Sequence, residues 1–217
     1  VRVVIWTGAG RGCCSGVDLT AARQQGEHQP RSERIDEYGW VGRQASEIYR
    51  HLNKPTIAAA NGVAAGAGMS LALARDMRVG SASSRFKTVL IGRSLSPDSG
   101  MSFFLPRIVG ASRAFELVYT SRIVDADEAY RIGLLDRLVP AESLLDEAKE
   151  LARQIAFWPP VAMQMSKRVM QRGMESDLEE QLKYETHGIV FGRRAPHDVE
   201  EAAASFREKR PPEFTGE

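Results

Sequence analysis

An α/β core followed by a helical C-terminal region is what this sequence predicts. Short apolar, small-sided runs alternate with helix-spaced segments as far as about residue 140. From Ala141 onward the apolar residues keep helical spacing almost throughout. The chain is therefore divided into a core over 1–140 and a helical region over 141–217.

The elements follow in order. Arg2 to Thr7 reads as a strand apolar on both faces, and it runs into the glycine-rich turn Gly8-Ala9-Gly10-Arg11-Gly12. A domain seldom opens on an inner strand, because its edge would be left unpaired, so a segment upstream is expected. The polar stretch Arg23 to Arg34 reads as a surface segment, and a helix is expected from about Asp36 to His51. Pro55 to Ala60 is a short strand, too small-sided for the surface. A buried helix over Met69 to Arg75 follows, with strands near Met77 to Val79 and Arg85 to Val89. Helices are expected around Met101 to Arg107 and Arg113 to Thr120. Asp125-Ala126-Asp127-Glu128 reads as a capping box, in which Asp125 accepts from the helix N-terminus and Glu128 reaches back. That helix ends at Gly133, and Leu138-Val139 is a short strand. Leu144, Leu145, Ala148, Leu151, Ala152 and Ile155 share one helical face before Pro159-Pro160 breaks the run.

Composition excludes several classes. With 217 residues, 43% hydrophobic and 26% charged, the chain has the profile of a soluble globular protein. Lys plus Arg number 29 against 28 Asp plus Glu, a net charge of +1, so no overall field calls for nucleic acid or a membrane surface. The two cysteines, Cys13 and Cys14, are adjacent, which disfavours a disulfide and fits a reducing compartment. No apolar run reaches the ~20 residues of a membrane span, and the start lacks the pattern of a signal peptide. A cytoplasmic protein is expected. His28, His51, His187 and His197 show no spacing that suggests a triad or a metal site.

Two loops share one design, a strand followed by small residues and a helix start. They are Gly12-Cys13-Cys14-Ser15-Gly16-Val17-Asp18-Leu19 and Ala64-Ala65-Gly66-Ala67-Gly68-Met69. Small side chains admit a ligand close to the backbone, and a helix N-terminus offers free N–H groups. Facing one pocket, the two loops would supply a two-donor oxyanion hole. Two tight turns chosen only for helix–strand packing are the other reading.

Ile5 to Leu19, with its Thr7-Gly8-Ala9-Gly10 turn, resembles the first signature of the crotonase (enoyl-CoA hydratase/isomerase) family. Ala60 to Gly68 with Leu71-Ala72 and Arg75-Asp76 resembles the second. Pro97 to Gly100, Leu105-Pro106-Arg107 and Gly110 to Ala114 resemble a third, and Phe206 to Phe214 a fourth. The resemblance implies a spiral of strand–strand–helix turns with a helical C-terminal trimerisation region, giving trimers or hexamers. It implies an acyl-coenzyme A substrate, with the backbone N–H groups of Ser15 and Ala67 as oxyanion donors. Gly16, Val17, Asp18, Leu19, Ala65, Gly66 and Gly68 would border the substrate, and Lys209 would touch coenzyme A. No metal or redox cofactor is implied; coenzyme A arrives with the substrate. Family members begin earlier, with a strand pair and a helix, in agreement with the internal-strand opening.

The acid/base residues choose the reaction. Hydratases of this family hold water with two glutamates, and the matching positions here are Ser70 and Leu90. Serine is a poor base and leucine is none, so two-glutamate hydration is disfavoured. Asp98, in Pro97-Asp98-Ser99-Gly100, stands where double-bond isomerases of the family carry an aspartate. Leu95, Met101, Phe103 and Phe104 are expected to desolvate it. The same residues also read as a helix N-cap sequence. Enoyl-CoA isomerisation with Asp98 as base is the expectation. Hydration, thioester hydrolysis and non-catalytic acyl-CoA binding stay as alternatives.

Overall fold

The computed structural model describes residues 1–18 and 39–217, with the side chains of 39 and 40 excepted. The strands are β1 (Val4–Thr7), β2 (Gly12–Cys14), β3 (Thr56–Ala60), β4 (Val63–Ala65), β5 (Met77–Ser81), β6 (Arg85–Lys87), β7 (Val124–Asp125) and β8 (Arg137–Val139). The described helices are α1 (Gly39–Ser46), α2 (Ala67–Leu73), α3 (Met101–Val109), α4 (Ala111–Thr120), α5 (Ala126–Arg131), α6 (Leu144–Ala156), α7 (Pro160–Gly173), α8 (Leu178–Gly192) and α9 (Pro196–Glu208). Glu47–His51 extends α1 as a wider π turn. His28, the stretch 23–34 and the expected helix start at Asp36 lie outside the described residues.

Two four-stranded sheets form, in the orders β1-β3-β5-β8 and β2-β4-β6-β7. Each of the first three close pairs of strands sends its first member to one sheet and its second to the other, so the chain climbs as a spiral, and β7 and β8 join the second and the first sheet respectively. Pairing is parallel at β3–β5, β5–β8, β2–β4 and β4–β6, and antiparallel where β7 closes on β6. A parallel strand covered on both faces needs small or apolar side chains throughout. In β3, Thr56, Ile57, Ala58, Ala59 and Ala60 accordingly lose all solvent contact.

The chain divides into two compact units. One comprises Ile5–Tyr49 and Ile57–Ala148. Its core holds Met69, Phe86, Met101, Leu105, Leu117, Leu134 and Leu135, all essentially without exposure. Tyr49, Phe103 and Phe104 meet edge to face at 5.0–5.8 Å within it, the geometry that aromatic quadrupoles favour.

The other unit comprises Val1–Val4, Arg50–Thr56 and Lys149–Glu217. Its C-terminal tail is pinned by Asp198, whose buried carboxylate accepts from the N–H groups of Thr215 (2.7 Å) and Gly216 (3.0 Å). Arg210 forks onto Glu201 at 2.5 and 2.7 Å, and Glu201 also accepts from Glu213 N–H.

Helix ends refine the sequence reading. Helix α2 starts at Ala67 rather than Met69, and α4 at Ala111 rather than Arg113, because a glycine outside the ordinary helical region precedes each. Asp125 caps α5 by accepting from Glu128 N–H at 2.9 Å. The Glu128 side chain does not reach back as a capping box requires. Arg122 takes it instead, in a bidentate pair at 2.6 and 2.7 Å, because a charge-assisted fork outweighs a neutral backbone donor.

Candidate functional site

Strand β2 delivers the first small-residue loop and β4 the second, side by side and in parallel. Their register pairs Gly12 with Val63 and Cys14 with Ala64, with a bulge between. The extra residue turns the strand as it leaves the sheet. The next turn passes through Gly16, at φ +98°, and packs against the second loop. A Cβ on Gly16 would lie 3.1 Å from Ala65 O and 3.4 Å from Ala67 N. The turn Ser15-Gly16-Val17 therefore sits directly over the first N–H group of α2.

The second loop reaches that point through Gly66, at φ +52° and ψ −125°, which caps α2 with no side-chain bond. The N–H groups of the first helical turn are then left without intrahelical partners. Gly68, one turn position further, lies under Cys14: a Cβ there would fall 2.0 Å from Cys14 O and 2.6 Å from Cys14 C. Only hydrogen at this position lets the end of β2 lie on the start of α2.

Asp98 is tied to the same corner. Ser70 Oγ, fully buried, lies 3.3 Å from Asp98 O and 3.4 Å from Gly66 O, so one hydroxyl bridges the Asp98 segment and the start of α2. Beyond Asp98 the backbone turns through Ser99 at φ +54° and Gly100 at φ +86°. Holding a buried serine in the left-handed region costs about 1–2 kcal/mol, the kind of strain that gathers at functional sites. Gly100, with no side-chain bond, caps α3, so the N-cap reading of Asp98 does not hold. The expected desolvation of Asp98 does not hold either. Asp98 is exposed, whereas Met101 and Phe104 turn into the core and Leu95 into solvent. Helix α3 begins after the double left-handed turn, which points its apolar face away from residue 98.

Leu90 is buried among core hydrocarbons. The residue before it, Val89, adopts φ +67°, and Leu90 N–H donates to Thr88 O at 2.8 Å. That is a tight three-residue turn, uncommon for a β-branched side chain. A Cβ at Gly66 would stand 4.0 Å from the Val89 Cβ, so this turn backs the second loop.

Burial shifts ionisable groups of this unit. Burial pushes the Cys13 thiol up to about 11, so it stays protonated at neutral pH. Arg75, drawn down to about 10 by burial but still a cation, lies 4.8 Å over the Trp6 ring and donates to Leu71 O at 2.7 Å.

Ser15, Gly16, Val17, Ala65, Gly66, Ala67, Gly68, Ser70, Leu90 and Asp98 all belong to one compact unit. Ser70 is too enclosed to face a ligand, and its hydroxyl holds backbone instead. Asp18 follows the first turn and is exposed, while Leu19 lies outside the described residues. Lys209 is the exposed, left-handed cap of α9 and belongs to the other unit. That unit also holds an open groove lined by Met165, Val169, Gly188, Ile189 and Val199, with Glu185 and Asp198 among its lining residues, and the Asp198 carboxylate is engaged by the N–H groups of Thr215 and Gly216. Sequence reasoning overlooked Asn61 as more than part of a motif. Its signal was legible as the one polar side chain in the small-residue run from Ala58 to Gly68.

Paired ββ turns feeding two sheets, with two small-residue loops meeting at a helix N-terminus, define an enzyme of the crotonase superfamily. The whole chain, residues 1–217, matches the enoyl-CoA hydratase/isomerase family, and it belongs to that family. A probable enoyl-CoA hydratase of Mycobacterium bovis is 40% identical over 99% of this chain and 77% of its own length. A 1,2-epoxyphenylacetyl-CoA isomerase of Escherichia coli is 34% identical over all of this chain and 82% of its own. The crystal structure of an enoyl-CoA hydratase from Bacillus anthracis superposes with a TM-score of 0.90 at 33% identity, covering all of this chain and 82% of that one.

Proposed function

We propose that the chain shifts the double bond of an enoyl-CoA thioester through an enolate held by two backbone donors. One donor is Ala67 N–H; the other is an N–H of the Ser15–Val17 turn, Ser15 being the one that the family resemblance implies. The observation that carries this reading is the close packing of the Gly16 turn on the second loop, where a Cβ added to Gly16 would lie 3.4 Å from Ala67 N. Removing a proton beside a thioester puts negative charge on the thioester oxygen. Fixed donors favour that charge by about 3–4 kcal/mol each.

Asp98 takes the proton from one carbon, the electron pair moves through the enolate, and the same proton returns to another carbon. The reaction is redox-neutral. Because Asp98 is exposed in the free chain, its desolvation has to come from the bound acyl chain. Hydration, favoured by the name of the Mycobacterium relative, is the second reading. Against it, the Ser70 hydroxyl is committed to backbone carbonyls and Leu90 offers only hydrocarbon, so neither orients a water.

Incubation with trans-2-, trans-3- and dienoyl-CoA thioesters, followed by ultraviolet absorbance and product mass, tests this. A bond shift without mass change, lost in Asp98→Asn, is the expected result. Gain of one water would replace isomerisation by hydration, free thiol would mean hydrolysis, and binding without turnover would mean a non-catalytic acyl-CoA binder.

A further inference from the structure

Strands β2 and β4 carry the two donor loops but hold each other weakly. Each has three residues, and the bulge leaves only two paired positions between them. A ladder this short does not specify its own register, and a slip would separate the donors. The register is held at the other end of the strands, by one side chain.

Asn61 sits two residues before β4. Its Oδ1 accepts from Gly8 N–H at 3.1 Å, and the Thr7 hydroxyl lies 3.4 Å from the same oxygen. Its Nδ2 donates to Gly10 O at 2.8 Å and to Gly12 O at 3.3 Å. The amide orientation follows from the partners: turned over, it would set its oxygen against two carbonyls and its NH₂ against an N–H group. Gly12 is the first residue of β2, so the amide grips the chain three residues before Ser15. The backbone of Asn61 leads, through six residues, to Ala67. Close packing supports the bracket, since a Cβ on Gly62 would lie 2.1 Å from Arg11 O. The outer side is held separately, where Ser83 Oγ donates to Asn61 O at 3.0 Å.

We infer that Asn61 is a positioning residue for the enolate site, an amide bracket that sets the height of the Ser15–Val17 turn relative to Ala67 N–H. It touches no substrate and acts through the two loops. The inference rests on the proposed oxyanion hole, and its test separates the two.

Acetoacetyl-CoA provides the probe, because its enolate has an ultraviolet band of its own and forms without any catalytic base. Its enolate fraction is measured when bound to the wild-type chain and to Asn61→Ala, Asn61→Asp and Ser83→Ala, together with Tm and the Kd of a saturated acyl-CoA. Wild type is expected to enrich the enolate. Asn61→Asp, which keeps the shape but faces an oxygen to two carbonyls, and Asn61→Ala are expected to lose about 100-fold of that enrichment and of kcat, as for a donor misplaced by ~1 Å. The saturated thioester should bind within about threefold of wild type, since ordinary binding does not depend on the donors' alignment. Ser83→Ala, which removes the bonds to the outer carbonyl and to Ser81 Oγ but leaves the Asn61 amide bonds in place, should keep wild-type enrichment and kcat. Should Asn61→Ala not fold, the near-isosteric Asn61→Asp carries the measurement. Wild-type enrichment that survives unchanged in both Asn61 variants would overturn the bracket while leaving the site intact. No enrichment in wild type would overturn the oxyanion hole itself, and the bracket with it.

Discussion

Substituting Gly68 by alanine probes the corner where β2 lies on α2. The added Cβ falls 2.0 Å from Cys14 O, and an ordinary carbon–oxygen contact is about 3.3 Å, so the two backbones have to part by about 1.3 Å. Neither neighbour can give way by rotating a side chain, because the obstructing atoms are Cys14 O and Cys14 C. The separation falls between the Ser15–Val17 turn and Ala67. A donor pair spread by more than 1 Å is expected to lower kcat about 100-fold. Overpacking of this kind destabilises by about 1–3 kcal/mol or more, which for a chain of this size lowers Tm by up to ~10 °C. Thermal unfolding and enoyl-CoA turnover below the transition check the two effects separately. Gly92→Ala, where an added Cβ meets nothing within 4 Å, serves as the control. A folded Gly68→Ala protein with wild-type kcat and wild-type enolate enrichment would refute the placement of the donors at this corner.

Two further expectations concern stability. Asp125→Ala removes the acceptor for Glu128 N–H at the start of α5 and should cost about 1 kcal/mol, read as a Tm lower by a few degrees with kcat unchanged. In the C-terminal unit, Arg210 and Glu213 N–H hold the Glu201 carboxyl down to about 2 from an ordinary value of 4.5. A depressed carboxylate contributes stability above its unfolded pKa and loses it as pH falls through the folded one. Protection of the tail around Arg210 to Glu213 against hydrogen exchange should therefore weaken between about pH 4.5 and pH 2, and Glu201→Gln should reduce that dependence.

The strands and helices could be located from the sequence because local rules dictated them. The small, apolar run Thr56 to Ala60 has no use except in a strand covered on both faces, and it is buried end to end. Asp125 caps where an aspartate before a helix caps. Errors arose wherever a side chain could choose between partners. Glu128 had Arg122, six residues upstream, within reach, and spacing alone does not say which of two donors a carboxylate takes. Met101 and Phe104 follow Asp98 closely in sequence, yet their side chains are buried in the core while Asp98 stays exposed, the backbone passing through left-handed Ser99 and Gly100 between them.

The sequence by itself determined the alternation of strands with helices, the two small-residue loops and the family to which they belong, since these depend on residue type and near-neighbour spacing. Tertiary structure alone decided that the two loops meet, that Ser70 holds backbone instead of facing a ligand, that Asp98 stays in water, and that Asn61 clamps one strand to the other. Those relations join residues some thirty to fifty positions apart, and only the packing of the folded chain decides which of many possible partners each polar group takes.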